Sequence, residues 1–149
     1  MLNREWIAAR IPHQGSMCLL DGVREWSPEA IRCTASSHRL ADNPLRAEGR
    51  LGAASGIEYA AQAMAVHGAL LSPAGTDVRQ GYLASVRNVE LLAERLDTVA
   101  GDLDVRADRL SGDGNNVLYQ FSVSGDGRLL LSGRAAVILD AGDIAVSST

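Results

Sequence analysis

The chain has 149 residues, 46% of them hydrophobic and 21% charged, so one domain spanning residues 1–149 with a real core is expected. The formal net charge of −4 makes nucleic acid a poor candidate partner. No basic start followed by an apolar run opens the sequence, and no apolar run reaches the roughly 18 residues of a membrane span without an internal charge, so no membrane association and a cytoplasmic location are expected.

Asn3 can cap a short helix over Arg4–Arg10, which Pro12 ends. His13-Gln14-Gly15-Ser16 reads as a turn, and Met17–Val23 as a first strand. After the turn Ser27-Pro28-Glu29, Ala30–Ser37 alternates, with Ile31, Cys33 and Ala35 facing inward. Cys18 and Cys33 form no CxxC pair and fall in apolar stretches, the pattern of buried free thiols. His38–Arg50 is polar and irregular.

Leu51–Leu71 is a glycine-led, Ala-rich and nearly all-apolar segment long enough for a buried helix. Glu58 is its single carboxylate, and a charge stripped of water there needs a reason. At about 100° per residue, Ser55, Glu58 and Gln62 share one face, flanked by the small side chains of Ala61 and Ala65, which leave room for a ligand. The bland alternative is a Glu58–Arg pair with Gln62 bonded to backbone. Gly56 opens the helix, where unpaired N–H groups can polarise a carbonyl. His67 lies about 180° from Glu58 and is expected to be packed, and His38 to be a loop hydrogen-bonder.

Everything after the helix reads as strand and turn: Tyr82–Leu91, Thr98–Leu110, then Val117, Tyr119, Phe121 and Val123 on one inner face, then Leu129, Leu131, Gly133, Ala135, Val137 and Leu139 on another. Ser111-Gly112-Asp113-Gly114 and Ser124-Gly125-Asp126-Gly127 are hairpin turns. The tail after Asp140 is small and polar. The expected class is α+β, a long antiparallel sheet wrapped around one central helix, the hotdog arrangement. No phosphate-binding loop, G-x-S-x-G elbow, HExxH motif or Cys pair is present, so no cofactor and no metal are expected.

These residues carry a resemblance. Ile11-Pro12-His13 followed by Met17-Cys18-Leu19-Leu20-Asp21 looks like the opening of the hotdog 3-hydroxyacyl-[acyl-carrier-protein] dehydratases, in particular the small dehydratases of aryl-polyene and lipid synthesis. Gly56-Ile57-Glu58-Tyr59-Ala60-Ala61-Gln62 is similar to their central-helix segment, and Tyr82–Val89 fits the strand that follows. The resemblance implies a lyase in fatty-acid or aryl-polyene-type synthesis. It implies a homodimer, or a heterodimer with another hotdog protein, and an acyl thioester on carrier protein or coenzyme A as substrate. Glu58 takes the catalytic acid position; Gln62, Gly56 and Ser55 belong to substrate binding. The family's catalytic His falls where this chain has Gly49-Arg50-Leu51, which puts Arg50 at the site and leaves His13, or His38, to act as base. A hotdog thioesterase, which needs no His, and a non-catalytic acyl-binding subunit are the alternatives.

Overall fold

The computed structural model describes residues 2–11, 15–71, 81–113 and 116–139. A two-residue strand β1 (Leu2–Asn3) precedes α1 (Arg4–Ala8), whose first turn is capped as expected: the Asn3 side chain accepts from the Trp6 N–H at 3.0 Å. The expected strand at Met17–Val23 is displaced. Gly15–Met17 is a 3₁₀ turn, 18–21 is irregular, and the strand β2 spans Gly22–Ser27. The reason is tertiary: the backbone of residues 17–19 is bonded to side chains of the central helix and of a neighbouring 3₁₀ turn instead of to a ladder. β3 (Ala30–Ala35) buries Ile31, Cys33 and Ala35, as its alternation predicts. Both cysteines are buried and free, and burial pushes the Cys33 thiol up to about 12.

The central helix α2 is Gly56–Leu71, led in by a 3₁₀ turn over Ala53–Ser55. Four strands follow: β4 (Gly81–Leu91), β5 (Leu103–Asp113), β6 (Asn116–Gly125) and β7 (Arg128–Leu139). They build a seven-stranded sheet in the order β1-β2-β3-β5-β6-β7-β4, antiparallel throughout. The helix packs on β3, β5 and β6, where Val105, Ala107, Tyr119, Phe121 and Val123 are all buried. β4 lies at the sheet edge, and among the described residues it carries no buried side chain.

Three expectations need correction. Ser111, Gly112 and Asp113 of the first expected SGDG turn belong to the strand β5, and Gly114 lies outside the described residues. On β7, Leu129 is exposed while Leu130 is buried, because the register slips between Val123↔Leu131 and Ser124↔Leu129 and a bulge turns Leu130 inward. Among the described residues the helix is also not enclosed all round, as the site shows. The second Asp-Gly turn, by contrast, is as expected: Asp126 and Gly127 take φ of 52° and 77°, the doubly left-handed form that suits a two-residue hairpin. Among the described residues, no helix is long and apolar enough to cross a membrane.

Candidate functional site

Glu58 sits in the first turn of α2 and is half-buried. Ala61 and Ala65 are half-buried on the same side, at the spacings that stack side chains along one helix face. The opposite side, Tyr59, Ala60, Ala63, Val66 and His67, is fully buried. The one carboxylate of α2 therefore stands on its less buried side, among small side chains.

Gly56 is a contact glycine. A Cβ on it would meet the Leu131 side chain on β7 at 2.5 Å, so the helix start lies tight against the sheet only because that atom is missing. Its N–H already bonds the Ala53 carbonyl in the preceding 3₁₀ turn. The turn that leads in the helix thus already uses the Gly56 amide. Ser55 is half-buried at the end of that turn, four residues or less from Glu58 along the chain. Arg50 is exposed, and its backbone pairs with Ala47 in a tight turn. His13 lies outside the described residues.

Gln62 is fully buried, and both ends of its amide are engaged. Its Oε1 accepts from the Leu19 N–H at 2.9 Å, and its Nε2 donates to the Met17 carbonyl at 2.7 Å. This is the backbone role that the sequence left open beside substrate contact. Leu19 is held a second time: the Ser37 hydroxyl donates to its carbonyl at 2.8 Å. That fixes the rest of the network. Tyr59, 2.8 Å from Ser37 Oγ, must donate to it, and in turn accepts from Asn43 Nδ2 at 3.1 Å. Asn43 also bonds the Ser37 carbonyl and the Leu45 N–H. Two segments, 17–19 and 37–45, are thus pinned to α2 by Gln62 and Tyr59, within one turn or so of Glu58. The sequence singled out Gln62 but missed Tyr59, Ser37 and Asn43; a polar trio in apolar or irregular sequence shows no spacing until the chain folds.

Two other polar groups fix the two ends of this assembly. His67 is fully buried; its Nε2, 2.7 Å from the Ser27 carbonyl, must carry the proton, so Nδ1 accepts from the Tyr119 hydroxyl at 2.8 Å. Burial lowers its pKa, and desolvation pushes that of Tyr119 up to about 12. His38 is also fully buried, with Nε2–H shared between the carbonyls of Val99 and Gly101 and its pKa lowered chiefly by burial. Both histidines are built into the fold, as the sequence expected; both nitrogens of His67 are engaged, whereas His38 Nδ1 is buried without a hydrogen-bond partner among the described residues.

The segment preceding α2 is anchored to residues 94–97. Leu51 N–H donates to Asp97 Oδ1, Leu96 N–H to the Leu51 carbonyl, and Ala53 N–H to the Glu94 carbonyl. Asp97 is paired with Arg95 and lies 3.7 Å from Arg46, and the Arg95 hydrogen bond holds its carboxyl well below the usual range. Among the described residues, no three His, Cys, Asp or Glu are grouped so as to hold a metal ion.

Comparison with solved structures identifies the architecture. The dehydratase heterocomplex ApeI:P from Xenorhabdus doucetiae matches with a TM-score of 0.76 over 97% of this chain and 98% of that one, at 22% identity. A thioesterase from Pseudomonas aeruginosa matches at 0.60 over 80% of each chain with 15% identity, and one from Haemophilus influenzae at 0.59 over 79% and 76% with 14% identity. At such identities the likeness shows the fold alone, and the fold is the hotdog. No curated protein sequence matches. The sequence profile of the ApeP-like dehydratases does match, over residues 6–145, from α1 through all the later strands, and the chain belongs to that family.

Proposed function

We propose that the chain acts in the dehydration of a 3-hydroxyacyl thioester, with Glu58 as the acid, and that it works paired with a second hotdog chain. The observation that carries this reading is the membership of the ApeP-like dehydratase family together with the place of Glu58, the one carboxylate of α2, on the open side of the helix.

Dehydration breaks the Cα–H bond and the Cβ–O bond. A base takes the α-proton, its electron pair becomes the new Cα=Cβ bond, and the β-hydroxyl leaves as water with a proton from the acid. Glu58 fits the acid because it is a half-buried carboxyl whose neighbours along the helix face, Ala61 and Ala65, are small. Gln62 serves as a positioning residue, because its amide holds the backbone of 17–19 beside the helix. His13 is the candidate base from the sequence, since His38 and His67 both hold backbone carbonyls inside the fold. Arg50, exposed in the loop where the family's His falls, stays protonated near pH 7 and suits an anionic part of the substrate.

A partner chain follows from two features. Among the described residues, one side of α2 is only half-buried, and β4 is an edge strand with a neighbour on one side alone. A structural match that is covered over 98% of its own chain is a heterocomplex by its own description, which favours a different hotdog chain over a second copy. Thioesterase-like neighbours keep hydrolysis as the competing reaction.

The test is an assay of 3-hydroxyacyl thioesters on carrier protein and on coenzyme A, with the chain alone and with a second hotdog chain added. It follows the enoyl product and free thiol separately. Enoyl thioester is expected, reduced at least about 100-fold by Glu58→Gln. Thiol release without enoyl product makes the protein a thioesterase. Full activity of the Glu58→Gln complex removes the catalytic role of this chain.

A further inference from the structure

The connection from β4 to β5 is gripped from two sides. Three successive carbonyls face the 3₁₀ turn Ser37–Arg39: His38 Nε2–H is shared between Val99 at 3.1 Å and Gly101 at 2.9 Å, and Arg39 Nη1 donates to Ala100 at 2.7 Å. From the other side, Asp126 accepts from the N–H groups of Ala100 and Gly101 at 3.0 and 2.9 Å. The Arg39–Asp102 ion pair is exposed and adds little, so the buried fastening of the turn is the His38 ring.

That fastening accepts one protonation state. Two carbonyls claim the Nε2 proton, so the bonded form is the neutral ring with its lone pair on Nδ1. Nδ1 is buried and meets no hydrogen-bond partner among the described residues. A second proton there would lie on a fully buried nitrogen without an acceptor, and the ring would carry a charge inside the fold. The charges around the ring do not offset this. Arg39 opposes the cation, and Arg46, which donates to the His38 carbonyl at 3.1 Å, is a second positive group in the same loop. Asp102 and Asp126 favour the cation, but Asp102 is bonded to Arg39 and Asp126 to two backbone amides. Burial outweighs them, and the His38 pKa is lowered.

The turn is also linked to α2. The Ser37 hydroxyl holds the Leu19 carbonyl and accepts from Tyr59, and Asn43 bonds both the Ser37 carbonyl and Tyr59. Arg46 ties the carbonyls of His38 and Leu40 together. Tyr59 follows Glu58 directly in the helix, and Gln62, one turn on, holds the other end of Leu19.

We infer that His38 is a proton-operated latch: its neutral ring holds residues 37–46 on the 99–102 connection, and a second proton releases that segment while the sheet stays folded. Ser37 leaves with it, Leu19 keeps only its Gln62 bond, and the 17–19 segment beside Glu58 loosens. Acid then opens the wall of the candidate site without touching Glu58. The latch does not depend on which reaction Glu58 performs.

The released ring titrates near the ordinary 6.5, so a fall from roughly pH 7.5 to pH 5.5 favours release by at most about tenfold. The experiment is amide hydrogen exchange of the full chain across that interval, read by NMR and corrected for the intrinsic pH dependence of exchange. The N–H groups of Leu40 and Asn43, bonded inside the segment, are expected to open about three- to tenfold more, relative to those of Tyr119 and Phe121 in the core of the sheet. His38→Gln retains an Nε2 donor but binds no proton, and is expected to cut that rise below about twofold. In the wild-type chain, the midpoint of the rise is expected to coincide with the titration of the His38 ring signals, a test that needs no variant. No selective rise, an equal rise in Tyr119 and Phe121, a rise that survives His38→Gln, or a midpoint apart from the ring's titration overturns the inference.

Discussion

Along α2, the side carrying Tyr59, Gln62, Ala63, Val66 and His67 is sealed against the sheet and the 17–19 and 37–45 segments, whereas the side carrying Glu58, Ala61 and Ala65 is half open. The sealed side includes as many polar groups as a binding site would, yet nearly all of them end on the protein's own backbone or on one another. The open side has one ionisable group and small neighbours. Polarity within a helix therefore marks two opposite things in this molecule: internal scaffolding on the sealed side, and on the half-buried side the carboxylate that we propose acts on substrate.

The sharpest way to separate the two sides is to exchange their most polar residues for shape-matched ones. Glu58→Gln is expected to lower turnover at least about 100-fold, near 2.7 kcal/mol of barrier, while changing unfolding stability by less than about 1 kcal/mol. Gln62→Leu is expected to do the reverse in character. It leaves the buried Leu19 N–H and the Met17 carbonyl without their partner and lowers stability by about 2–4 kcal/mol in denaturant unfolding. Equal stability losses for both variants would erase the distinction.

Steric probes come next. Ala63→Leu, on the sealed side, is expected to destabilise by about 1–3 kcal/mol through overpacking, while Ala65→Leu, on the open side, stays within about 0.5 kcal/mol and instead weakens substrate binding. A comparable loss for Ala65→Leu in the isolated chain would mean that the open side is covered. On the sheet, Gly133→Ala brings a Cβ to 2.8 Å from the Phe121 ring, and about 1–3 kcal/mol is expected there as well.

The smallest expected effect is a pH dependence. His38 and His67 are neutral in the fold, with pKa values below the ordinary 6.5 because of burial. Above pH 6.5 neither folded nor unfolded chain binds these protons, so they leave stability unchanged. Below 6.5 the unfolded chain binds them first, and stability falls as the pH falls. His67→Gln is expected to flatten part of that slope between pH 6.5 and 5. Asp97 and Asp126, held low by Arg95 and by backbone N–H groups, extend the loss below the ordinary carboxylate value of 3.8.

The sequence by itself determined the class of fold, the identity of the central helix, the inner faces of β3, β5 and β6, and the Asp126-Gly127 turn, because hydrophobic period and turn chemistry are local properties written residue by residue. It also isolated Glu58, since one charge in an apolar run stands out. Only the tertiary structure decided which side of α2 is less buried, that Gln62 grips the backbone of residues 17–19, and that Leu130 instead of Leu129 turns inward. Each of these depends on a partner distant in the chain. A side chain's periodicity says that it is buried or exposed, but what it meets there is set by the register of strands and loops that no local pattern encodes.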